Sequence, residues 1–169
     1  MGSSDSLRPS GAEWAWPEGP VVVGVPWEPD GHLVRVASGL AASLDAHLIC
    51  AYVDPSSYLT EWEPAGLRSG ASLDPAFNSE SDFPSSLVRD GLQAILGPPG
   101  EEWSFRVLNG AVAPALDRLA VSADASLLVV GGQRPGRLAA MGRILEGSVG
   151  VELTYRQSRP VLVVPRQGP

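Results

Sequence analysis

Runs of aliphatic residues with no polar alternation constrain this chain most. VVVGV (21–25), SLLVVGG (126–132) and VLVVP (161–165) are apolar at nearly every position. Successive residues of a strand point to opposite faces, so a strand that is apolar throughout must be covered on both. Sheets covered on both faces are mostly parallel, with helices carrying the chain from one strand to the next.

The segments between the strands supply those helices. After VVVGV, Pro26 and Pro29 stop the strand and Asp30 stands at the N-cap of a helix with Leu33, Val36, Leu40 and Leu44 at helical spacing, Ala37 and Ala41 beside them. HLICAYV (47–53) reads as a second strand, and SSLVRDGLQAILG (85–97) as a second helix weakened by Gly91. Between them, residues 54–84 read as a long variable loop rich in Ser, Pro, Gly and Asn. WSFRVLNG (103–110) alternates at Trp103, Phe105 and Val107, as a strand with one wetter face does. APALDRLAVSA (113–123) is a third helix with Pro114 in its first turn, and Met141 to about Tyr155 form a fourth. Residues 1–19 read as a disordered tail, 20–166 as one α/β domain and 167–169 as a short tail.

The order of elements is therefore β-α-β-loop-α-β-α-β-α-β, a five-stranded, open, mostly parallel doubly wound sheet with helices on both faces. In such sheets ligands gather beyond the carboxyl ends of the strands, where the winding reverses. The turns PWEPDG (26–31) and GGQRPGR (131–137) fall there if the first and fourth strands are central.

Composition removes several functions. The net charge of −7 argues against a nucleic-acid polymer as partner. No apolar run approaches membrane-spanning length, and the single cysteine, Cys50, has no partner for an intramolecular disulfide, so a cytoplasmic protein is expected. The opening MGSSDS matches a myristoylation pattern that flexible starts often share, and is discounted. His32 and His47 have no His or Cys at ligand spacing, so no metal site of their own is expected. Cys50, in mid-strand, reads as buried and inert. Charge is unevenly spread: residues 1–130 hold seventeen acids and six arginines, whereas 131–169 hold six arginines against Glu146 and Glu152. A small anion would thus meet local positive charge around the second glycine turn.

Neither well-known phosphate loop accounts for that turn. The dinucleotide fingerprint Gly-x-Gly-x-x-Gly is absent. Gly131 and Gly136 have P-loop spacing, but Arg137 and Leu138 stand where Lys and Ser/Thr are required, and Leu138 cannot ligate magnesium. Ser148 lacks the surroundings of a hydrolase nucleophile, with no Gly-x-Ser-x-Gly and no histidine downstream.

LLVVGGQRPGRLAAMGRILEGSVGVELTYRQSRPVLVVP (127–165) resembles the carboxyl-terminal half of a universal stress protein domain: a strand, a Gly-x-x-Gly loop, a spacer, Gly-Ser/Thr, a helix, and a last strand preceded by Pro-Val. The resemblance extends more weakly over 20–166. It implies strand order 3-2-1-4-5 and an adenine nucleotide, ATP or AMP, with magnesium only alongside it. Phosphates would lie against Gly131, Gly132, Arg134 and Gly136 on one side and Gly147, Ser148 and Val149 on the other. Glycines admit backbone N–H groups to an anion and a hydroxyl adds a donor. Adenine and ribose would sit near Pro26, Trp27 and Val53, with Asp54 in the ribose region. A homodimer through Val161–Pro165 is implied as well.

The chain departs from the family pattern at two places. Fifteen residues separate Gly131 from Gly147, more than the family has, and Pro135 among them lacks an N–H. Pro26 stands where the family usually has an acid. Expected on this reading is a nucleotide-binding sensor or regulator with no catalytic residues and at most weak ATP hydrolysis. The alternatives are a dimeric interaction module of the same fold without nucleotide, and an enzyme acting on a small anion through the arginine-rich loop.

Overall fold

A computed structural model describes residues 17–54, 75–132 and 149–166, with the backbone alone described over 75–84. Residues 1–16 and 167–169 of the expected tails, and 55–74 of the expected loop, lie outside the described residues.

Five strands, β1 (Val21–Val25), β2 (Leu48–Asp54), β3 (Trp103–Asn109), β4 (Leu127–Gly131) and β5 (Val161–Val164), form one parallel sheet in the order β3-β2-β1-β4-β5. Helices α1 (Gly31–Ser43), α2 (Pro75–Leu96), α3 (Val112–Ser122) and α4 (Val149–Arg156) make the connections. Strand alternation divides the core into two layers. Val21, Val23, Cys50 and Val129 pack with α1 and α2, while Val22, Ala51, Leu128 and Val130 pack with α3 and α4. Both faces of β1, β2 and β4 are thus covered, as their unbroken apolar runs require.

Local chemistry sets the helix ends. The Asp30 carboxylate accepts from the amides of His32 (2.9 Å) and Leu33 (3.4 Å), capping α1 as its sequence predicts. Helices α1 and α3 both close on an aspartate in the left-handed region, Asp45 at φ 51° and Asp124 at φ 48°. The next amide then reaches back into the helix: Ala46 N–H to Ala41 O and Ala125 N–H to Ala120 O, each 2.9 Å. Each turn delivers the chain directly into the following strand.

Three expectations change. Helix α2 begins at Pro75, so 75–84 is helical rather than loop. The sequence misleads because Pro84 falls inside the helix, where proline is ordinarily a breaker, whereas Pro75 takes a first-turn position proline suits. Val107 does not follow Trp103 inward; it is 47% exposed on β3, an edge strand of the sheet. Asp54 is not in a loop: it closes β2, buried and engaged in polar interactions. Of the expected fourth helix, Val149 onward is present and 141–148 lies outside the described residues.

A cleft at the carboxyl ends of the central strands

From β1 the chain winds outward through β2 to β3, then crosses back to β4 on the other side of β1. The carboxyl ends of β1 and β4 therefore flank the point where winding reverses. A cleft of about 320 Å³ opens there. Strand ends form one wall, through Val25, Val53 and Gly131, with Pro26 and Trp27 continuing β1. Leu33 of α1, Leu116 of α3 and Val149 of α4 complete it.

Gly24 allows helix α3 to approach so closely. A Cβ at Gly24 would stand 2.9 Å from Leu116 Cδ1 and 3.5 Å from Val130 Cγ1. Trp27 lines the cleft and keeps 48% of its surface exposed, so it does not cap the core. Such an exposed aromatic face is suited to stacking on a planar ring. Tyr52 also lines the cleft, and burial, then the nearby Asp54 charge, push its phenol up.

Where β4 ends, the chain is tied to the end of β5. The Gly132 amide donates to Val164 O at 2.8 Å, and Arg166 Nε donates to Gly132 O at 3.2 Å. Arg166 is the only charged side chain lining the cleft among the described residues.

Of the expected binding residues, Pro26, Trp27, Val53, Gly131 and Val149 converge on this cleft. Gly132 stands beside it, next to Val164 and Pro165. Arg134, Gly136, Gly147 and Ser148 lie outside the described residues; α4 starts at Val149, immediately after Ser148 in sequence. Gly24, Tyr52, Leu116 and Arg166 were not anticipated. The rule that ligands gather at strand carboxyl ends points to the end of β5, where Arg166 stands two residues beyond Val164, but it does not single out that side chain. Gly24, Tyr52 and Leu116 lie within elements, at positions that the rule does not mark.

The opposite end of the sheet carries a hollow of about 400 Å³ lined by Asp45, Glu101, Glu102 and Trp103, among others. His47 in it is structural. Its Nδ1 donates to Glu101 O at 2.7 Å and its Nε2 pairs with Ser104 Oγ at 2.8 Å, joining β2 to β3. Among the described residues no group of three or more His, Cys, Asp or Glu is placed to hold a metal ion. Nor, among those residues, is any helix long and apolar enough to cross a membrane.

An open parallel sheet in the order 3-2-1-4-5 with a cleft at its switch point defines a doubly wound α/β domain. The model of the universal stress protein family matches residues 19–165, and the chain belongs to that family. No curated protein matches the sequence. Among solved structures, a universal stress protein in complex with cAMP is 25% identical, with a TM-score of 0.55, over 87% of this chain and 97% of the other. A universal stress protein family member from Burkholderia pseudomallei is 23% identical, with a TM-score of 0.54, over 86% of this chain and 96% of its own. A universal stress protein from Pseudomonas aeruginosa described as putative is 18% identical, with a TM-score of 0.58; 95% of this chain covers 50% of that one.

Proposed function

We propose that the cleft binds an adenine nucleotide and that the protein is a nucleotide-responsive regulator of a stress response in the cytoplasm, not an enzyme of high turnover. The observation that carries this reading is the cleft at the switch point, apolar towards β2 and flanked by the start of the glycine turn at β4. Trp27 and Val53 offer a base an apolar bed. Gly131 and Val149 bring backbone to the other end, the Gly132 amide being already bonded to Val164 O, and Arg134, Gly136, Gly147 and Ser148 are proposed to complete the phosphate contacts. The cAMP complex of the relative at 25% identity supports the same ligand class. Magnesium, on this reading, enters only with a polyphosphate.

One feature supports the second reading, an interaction module without nucleotide: Pro26 offers no side-chain acceptor where an acid would hold a ribose. Both readings include a homodimer through the exposed edge of β5, where Leu162 and Val163 are 36% and 42% exposed.

Calorimetric titration with ATP, AMP and cAMP separates the two. Saturable micromolar binding, weakened in Ser148→Ala and Arg134→Ala, is the expected result. Absence of heat at millimolar nucleotide, from protein shown by mass spectrometry to carry none, would leave the interaction module as the better account.

A further inference from the structure

We infer that Arg166 is the cleft's anion anchor, the side chain that reads the phosphate charge of the bound ligand. The identity of that ligand as an adenine nucleotide rests on the function proposed above; the anchor itself rests on four observations about Arg166.

First, it is the single charged residue in an otherwise largely apolar lining among the described residues. Second, it is half-buried and has no carboxylate partner there, unlike the other two arginines of the described carboxyl-terminal stretch. Arg156 is paired with Glu152 at 2.8 Å and Arg159 with Asp124 at 3.0 Å. A guanidinium partly withdrawn from water without a counter-charge is unfavourable unless an anion completes it.

Third, its position is fixed. Nε is committed to Gly132 O at 3.2 Å, and the same glycine's amide is committed to Val164 O at 2.8 Å. The guanidinium is thus held over the end of β4, Nε lying 4.0 Å from where a Cβ on Gly131 would stand. Fourth, Nη1 and Nη2 have no protein partner among the described residues, which leaves the planar fork available for two parallel bonds to phosphate oxygens. With the guanidinium over the end of β4, it stands two strand spacings from β2, about 10 Å, so a base beside Val53 and a phosphate beside Arg166 occupy opposite ends of one site.

The test is calorimetry with adenosine, AMP and inorganic pyrophosphate on wild type, Arg166→Met, Arg166→Lys and Arg156→Met. Arg156→Met makes the same change in net charge at an exposed position outside the cleft. Wild type should prefer AMP to adenosine, and Arg166→Met should cut that preference by about tenfold or more, the usual effect of losing a hydrogen bond to a charged group. Arg166→Lys, which keeps the charge but not the fork, should fall between, and Arg156→Met should match wild type. Should Arg166→Met not fold, Arg166→Lys decides the matter by the same comparison. An AMP preference unchanged in the Arg166 variants overturns the anchor and leaves the nucleotide reading standing. Pyrophosphate binding lost in the Arg166 variants, with neither adenosine nor AMP binding wild type, upholds the anchor and overturns the nucleotide reading. Wild type that binds none of the three overturns both.

Discussion

Cys50 shows how position alone sets a side chain's chemistry. It stands in the middle of β2, fully buried in the layer under α1 and α2, and desolvation pushes its thiol up to about 12. Because the thiolate is the reactive form, native protein at pH 8 should resist thiol reagents and react fully only once denatured. The same shift makes stability depend on pH. The folded pKa lies above the unfolded one, so the contribution is whole below pH 9 and is lost as pH rises from 9 through about 12. Tyr52, shifted in the same direction, adds to that loss. Denaturant melts across this range should show stability falling, and Cys50→Ala should flatten part of the slope; a slope unchanged by the substitution would refute the assignment. The burial of Cys50 was legible from its place in an apolar run. Arg166 was not, because nothing in RPVLVVPR separates a cleft-lining arginine from a solvated one until β5 is laid beside β4.

At the scale of elements, turns carry strain that the sequence states only indirectly. Gly19 has φ 127°, and a Cβ there would collide with the backbone carbonyl of Asp124, which cannot move aside as a side-chain end could. Gly19→Ala should therefore cost about 2 kcal/mol or more in chemical denaturation. Asp45 presents the opposite case, a side chain held at φ 51° where glycine is unstrained. Asp45→Gly should gain roughly 0.5–1 kcal/mol by the same measurement. Strands β1, β4 and β5 were readable because an apolar run bounded by Pro or Gly has few other fates. Helix α2 was misread at its start because local proline rules point to a break at Pro84, and the backbone continues through it. Val107 was misread because alternation reports a strand's face but not whether anything covers it.

For the whole molecule, the order of strands converts a linear pattern into a site. Pro26 and Gly131 are distant in sequence, yet β1 and β4 pair from Val21↔Leu127 to Gly24↔Val130, which brings both turns to one cleft. Half of the expected binding residues meet there because an α/β alternation leaves few arrangements, whereas the contributions of α3 and β5 required the packed structure. At the far edge, β5 pairs on one side only among the described residues and carries the exposed Leu162 and Val163. The proposed dimer should sediment as a single species of twice the chain mass, and Val163→Asp should convert it to monomer. A wild type that sediments as monomer would remove the dimer from both functional readings.

The central claim is that the ligand enters at the carboxyl ends of β1, β2 and β4, and amide chemical-shift mapping during an AMP titration tests it most directly. The account predicts saturable shifts at Gly24, the Trp27 indole, Val53, Gly131, Gly132 and Val149, with the amides around His47 and Glu101 at the opposite end unmoved. Shifts confined to that opposite end, or none at millimolar AMP, would contradict it.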